Sequence, residues 1–175
     1  MWLLSSSSAP EALAVVDGTG PFVGQGPHYS RRTPGAKTFT GCGREIVLVT
    51  DCGRAVWAVV YQRTPAPRGT GASRGREGQT APTRYIWRNM LFRNLGAGLS
   101  SNLIREAVDA TYREWIMRYG SLPTERLRTE IDINAVRSTN PGCCYLKAGW
   151  ERDRVVRGKL YLYAPNIVNA GFIES

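Results

Sequence analysis

Apolar and polar positions fall into blocks along the chain, and the spacing changes from block to block. Met1-Trp2-Leu3-Leu4 is an apolar start of edge-strand length. Ser8 ahead of Pro10 and Glu11 predicts a capped helix through Leu13 and Val16. Residues 18–40 are dense in Gly, Pro and Thr and read as a loop carrying His28-Tyr29-Ser30-Arg31-Arg32. Two β-branched and aromatic runs, 45–50 and 54–62, flank Asp51-Cys52-Gly53 and predict a hairpin. Residues 63–82 lose apolar periodicity altogether and predict a flexible Arg/Gly-rich loop.

Strand character returns at 83–94 through Tyr85, Trp87, Met90 and Phe92, and stops at Leu95-Gly96-Ala97-Gly98. Beyond it Leu103, Ile104, Ala107, Val108, Thr111 and Trp115 share one helical face, with Asn102, Arg105, Asp109 and Arg113 opposite. Gly120 stops this long helix. Leu127, Thr129 and Ile131 alternate in a strand over 124–133; Asn140-Pro141 opens a short helix to Ala148; residues 155–163 make a last strand. The order β-α-β-β-β-α-β-α-β predicts an α/β (α+β) chain, read as a single domain over 1–175.

Composition narrows the function classes. A chain of 175 residues with 42% hydrophobic and 21% charged residues is globular rather than disordered. No apolar run approaches a membrane span. Cys42, Cys52, Cys143 and Cys144 form no C-x-x-C pair and His28 is the single histidine, which argues against a zinc site of paired cysteines. Adjacent Cys143 and Cys144 are a poor disulfide framework, and the first residues lack a basic leader, so a soluble cytoplasmic protein is expected. The net charge of +9 favours a polyanionic partner. Only Lys37, Lys147 and Lys159 are lysines; the remaining basic residues are arginines, suited to bidentate phosphate and guanine contacts, although GC-rich coding produces the same skew. Arg68, Arg74 and Arg76 in the loop, with Arg31 and Arg32, are the candidate DNA-backbone contacts.

The strand-turn-helix at Arg93 carries the first chemical signal. Gly96 and Gly98 allow close backbone approach, and the first amides of the following helix are unpaired donors, a combination that suits a pyrophosphate. Arg93, Asn94, Gly96, Ala97, Gly98, Ser100 and Ser101 are therefore the candidate cofactor-binding residues; one of the serines is also the expected helix cap.

Arg93-x-x-Gly96-x-Gly98, followed by Tyr145-Leu146-Lys147-Ala148-Gly149-Trp150, resembles the acyl-CoA loop and the later helix end of the GCN5-related N-acetyltransferases. The resemblance implies a mixed, mostly antiparallel central sheet flanked by helices, acetyl-CoA or a related acyl donor, and a proton-donating Tyr145. Asn140-Pro141 shortens the later helix and departs from that pattern.

A narrower set is similar to the Mom family of phage DNA-modification enzymes: His28-Tyr29-Ser30, Phe92-Arg93-Asn94-x-Gly96, Leu99-Ser100-Ser101, Ile131-Asp132 and Pro141-Gly142-Cys143-Cys144-Tyr145. That resemblance implies conversion of adenine in double-stranded DNA to N6-(carbamoylmethyl)adenine, which protects phage DNA from restriction.

For such chemistry Asp132 is the candidate proton acceptor or amine-orienting group, with Glu130 as fallback on the same strand face. Tyr145 is the candidate acid, and His28 and Tyr29 are candidate base contacts or acid/base groups. His28 is also a candidate iron ligand, and Tyr29, Trp57 and Tyr85 are candidate stacking partners for a flipped base. A second copy of the chain is a further candidate partner. Two other classes stay open: a conventional acetyl-CoA-dependent N-acetyltransferase acting on a small amine or protein, and a non-catalytic DNA-binding module.

Overall fold

The computed structural model describes residues 1–30, 33, 35–64, 84–136 and 138–165. Seven strands join in one sheet: β1 (Trp2–Ser5), β2 (Arg44–Thr50), β3 (Ala55–Thr64), β4 (Arg84–Asn94), β5 (Arg128–Asp132), β6 (Glu151–Val156) and β7 (Lys159–Tyr163), in the spatial order β1-β2-β3-β4-β5-β7-β6. All neighbours are antiparallel except β4 and β5, so the chain is a mixed α+β fold with a mostly antiparallel sheet.

Helices cover both faces. The apolar run of β2 is buried on two sides, which a strict alternation would not have allowed. Ile46 and Leu48 turn toward α2 (Ser100–Tyr119) and α3 (Cys143–Lys147), while Val47 and Val49 turn toward α1 (Pro10–Asp17). On the α2 side Trp57, Trp87, Trp115, Tyr145 and Trp150 fill the larger core. On the other, Ala12, Val15 and Val16 pack on Val56, Ala58 and Leu91.

In β4, Trp87 and Phe92 both pack against the α2-side core, although their odd spacing would put them on opposite faces of a regular strand. A bulge resolves this: Ala58 pairs Leu91 and Val59 pairs Asn89, leaving Met90 as the extra residue. Just there β4 meets β5, and their parallel register has only two pairs, Arg88↔Arg128 and Asn89↔Thr129. Beyond them β4 continues along β3 to Asn94 and β5 continues along β7 to Asp132. The sheet opens into a fork.

Several expectations are corrected. The last strand is a hairpin, because Arg157 (φ 49°) and Gly158 (φ 75°) make a two-residue turn with both residues left-handed. The strand expected over 124–133 is confined to Arg128–Asp132. The short helix starts at Cys143, behind a left-handed Gly142 at φ 84°. A Cβ on Gly142 would crowd Ile131, Leu160 and Leu162. Ser8 does not cap α1: the N-cap is Ala9, and the Ser8 hydroxyl lies 3.2 Å from that of Ser6. Neither Ser100 nor Ser101 caps α2, whose N-cap is Leu99 with no side-chain bond. Arg63 and Thr64 extend β3, and the remainder of the expected loop lies outside the described residues, as do Arg31, Arg32, Arg68, Arg74 and Arg76. No described helix is long and apolar enough to cross a membrane.

Candidate active site at the sheet fork

Asn89 sits at the last pair before the strands part, fully inside the protein, and all of its amide is used. Its Nδ2 donates to the carbonyls of Ala58 and Leu91, both at 2.9 Å, which satisfies the acceptors the bulge exposes. Its Oδ1 accepts from the Tyr145 hydroxyl at 2.6 Å and the Thr129 hydroxyl at 3.4 Å. Sequence reasoning missed Asn89 and Thr129. The signal was present: an asparagine, depleted in strands, stands at the core parity of Trp87 in an aromatic run.

Tyr145 is buried in the α2-side core, its ring against Trp57, Phe92 and Trp150 with centroids 6.4, 6.2 and 5.0 Å away. Burial first, then the Cys144 thiol and the Tyr29 phenol, push its pKa well above the ordinary tyrosine value. It is a protonated donor at neutral pH.

Asp132 ends β5 on the opposite face of the sheet from α2, the parity shared by Arg128 and Glu130. Its Oδ1 accepts the amides of Asn134 at 3.0 Å and Ala135 at 3.2 Å, so it caps a turn; its Oδ2 takes no hydrogen bond among the described residues. Glu130 is engaged by Arg128 at 3.0 Å and Lys159 at 3.8 Å. Tyr29, Asn89, Met90, Glu130, Asp132 and Lys159 border a cavity of about 530 Å³ opening at the fork. Tyr29 is half-exposed over it, and partial burial, then the Asp132 carboxylate and the Cys144 thiol, raise its pKa.

His28 supports this wall rather than facing the cavity. Its Nδ1 accepts the Ser30 amide at 3.2 Å and lies 2.7 Å from the Ser30 hydroxyl. Desolvation, with the nearby Arg93 charge, lowers its pKa to about 4 against the opposing effect of the Phe92 backbone. The ring is therefore neutral at pH 7, with Nδ1 held by Ser30. Among the described residues no three His, Cys, Asp or Glu side chains converge to hold a metal, and the surroundings of His28 do not fit an iron site.

The loop 93–98 is occupied from within. Arg93 donates to the carbonyls of Val16 at 2.9 Å and Gln25 at 3.2 Å, tying the end of α1 to β4. Asn94 Oδ1 accepts the amides of Gly96 at 3.1 Å and Ala97 at 2.8 Å, and its Nδ2 bonds the Gly98 carbonyl and Ser100 Oγ. Gly96 (φ 93°) and Gly98 (φ 142°) serve this self-closed turn, and Ser101 is buried at the start of α2. The Gly96 and Ala97 amides are thereby taken up within the turn, while no described side chain caps the first amides of α2.

Two aromatic candidates lie elsewhere. Trp57 is fully buried and donates to the Thr111 hydroxyl at 3.0 Å, and Tyr85 stacks on Tyr61 at 5.2 Å. The structure thus brings Tyr29, Asn89 and Asp132 to one cavity, while Tyr145 lies behind Asn89 in the α2-side core and reaches the cavity only through that amide. Compared with known proteins, the chain matches no family model, no curated protein and no solved structure.

Proposed function

We propose that this chain is a DNA-modifying transferase similar to the Mom family, converting adenine in double-stranded DNA to N6-(carbamoylmethyl)adenine on an acetyltransferase-like frame. The observation that carries this reading is convergence. His28-Tyr29, Phe92, Asp132 and Cys144-Tyr145 come from four separate segments, the ones that bear the resemblance. Yet Tyr29 and Asp132 border one cavity, His28 packs on Tyr29 with ring centroids 4.3 Å apart, and Tyr145, whose ring meets that of Phe92, bonds the Asn89 amide at the cavity wall. The mostly antiparallel sheet with helices on both faces supports the frame.

Adenine N6 is a weak nucleophile because its lone pair is delocalised into the ring, so it must be held in place and relieved of a proton as it attacks. In this mechanism Asp132 Oδ2 takes that proton, while Oδ1 stays pinned by the Asn134 and Ala135 amides and fixes the carboxylate. The N6–carbon bond forms as the donor's bond to its leaving group breaks, the electron pair departing with that group. Tyr145, buried on the α2 side, donates to Asn89 Oδ1 and so positions the amide that borders the cavity, and the leaving group takes its proton from solvent. N6 is not reachable for this chemistry inside a stacked pair, and a cavity of about 530 Å³ accommodates one flipped base with Tyr29 at its rim. No step runs through an acyl-CoA pyrophosphate at residues 93–98, whose Gly96 and Ala97 amides and Arg93 guanidinium are engaged within the chain.

Nucleoside mass spectrometry on DNA from bacterial cells expressing the chain tests the proposal. A mass-shifted deoxyadenosine is the expected result. Acetylated amines or proteins with unmodified DNA would replace it by acyl transfer, and DNA binding without a product would reduce the chain to a binding module.

A further inference from the structure

A second cavity, of about 810 Å³, lies between α1, the 21–25 segment and the β2–β3 turn, and shares no lining residue with the first. Its size falls in the range of small-molecule sites. Ala14, Pro21, Phe22, Val23 and Leu95 give it an apolar wall with one aromatic face.

Arg54 supplies the charge. Its backbone is fixed, since its carbonyl accepts the Leu95 amide at 2.8 Å and its own amide donates to Thr50 Oγ1 at 3.2 Å. Its guanidinium lies over Gly96, with Nη1 3.8 Å from where a Cβ would sit, and takes no partner among the described residues. Glu11 borders the same cavity; its Oε1 accepts the Ser5 hydroxyl, and Oε2 takes no hydrogen bond among the described residues. One open guanidinium, one carboxylate with a spare acceptor and an aromatic wall make a specific combination. A guanidinium matches phosphate oxygens, a carboxylate accepts from sugar hydroxyls, and the Phe22 face suits a planar base.

We propose that this cavity is a binding site for a nucleoside phosphate, with the phosphate on Arg54, the ribose hydroxyls toward Glu11 and the base against Phe22. It is separate from the fork, and its occupancy is read without any assay of DNA modification.

Cys52 provides the readout, because it borders the cavity while Cys42, also exposed, does not. Its thiol is exposed, 3.4 Å from Thr50 Oγ1, so iodoacetamide can reach it. Iodoacetamide labelling of the full chain is followed by peptide mass spectrometry with and without ADP, alongside calorimetric titration with ADP. ADP is expected to slow Cys52 labelling several-fold and to leave Cys42 unchanged. Arg54→Gln is expected to weaken ADP binding about tenfold or more, the loss of a charge-assisted contact. Val23→Asp, at a position 79% exposed and outside the core, is expected to weaken it by repulsion. The proposal is overturned if ADP does not bind, if Arg54→Gln binds it equally well, or if inorganic phosphate protects Cys52 as effectively as ADP.

Discussion

His28 makes the stability of the fold depend on pH in a range where an ordinary histidine titrates. The perturbation is a partly buried imidazole whose pKa falls from 6.5 to about 4 on folding. Above the unfolded value the ring is neutral in both states. Below it the unfolded chain binds a proton that the folded chain refuses, so stability drops as the pH falls from 6.5 toward 4 and levels off once the folded ring is protonated. At about 1.4 kcal/mol per pH unit this is worth roughly 3 kcal/mol, a large share of the 5–15 kcal/mol typical of a domain. Glutamine at this position can accept from the Ser30 amide without titrating. Urea denaturation followed by the fluorescence of the five tryptophans, from about pH 7 to pH 4.5, compares the wild type with His28→Gln. The carboxylates contribute alike to both chains, so the difference isolates His28. The wild type is expected to lose stability more steeply by up to that amount; coincident pH profiles would refute the reasoning.

Other expectations follow from the same geometry. Tyr145→Phe removes the 2.6 Å bond to Asn89 and leaves Oδ1 with only the 3.4 Å contact from Thr129, a loss of about 1–2 kcal/mol visible as a lower urea midpoint at unchanged slope. An unaltered midpoint would remove the network from the account of the fork. Gly18→Ala, at φ +67° with its Cβ site 2.3 Å from the Gly26 carbonyl oxygen, is expected to cost roughly 2 kcal/mol or more. Gly53→Ala, at φ +66° in open space, should cost about 1 kcal/mol, and equal losses in thermal melts would contradict the steric argument. Neutralising Arg68, Arg74 and Arg76 together is expected to flatten the salt dependence of DNA binding, by about 2–3 in the log–log slope; an unchanged slope means those arginines do not meet phosphate.

What was legible in the sequence was local. The 45–62 hairpin could be read because Cys52-Gly53 interrupts two β-branched runs, and α2 could be read because its apolar positions repeat at helical spacing up to Gly120. The fork was not legible, because the β4–β5 pairing joins residues far apart in the chain and lasts only two pairs. The β6–β7 hairpin was hidden because Arg157-Gly158 lacks the Asn or Asp that usually announces such a turn. The residue types of the candidate site were largely legible, but their tasks were not. Arg93 and Asn94 have the composition of an anion loop and instead satisfy carbonyls and amides of their own chain, an allocation set by the end of α1 lying against β4. Asp132 is divided between the two: Oδ1 caps a turn, and Oδ2 takes no hydrogen bond among the described residues.

The most direct measurement compares deoxynucleosides from cells expressing the wild type and Asp132→Asn at matched levels, with a thermal melt of each purified chain. The side-chain oxygen of asparagine still caps the Asn134 turn, but the variant carries no carboxylate to take the N6 proton. The account predicts a modified deoxyadenosine with the wild type and at least a hundredfold less with the variant, at near-equal melting temperature. Equal modification by both chains, or none by the wild type, would contradict it.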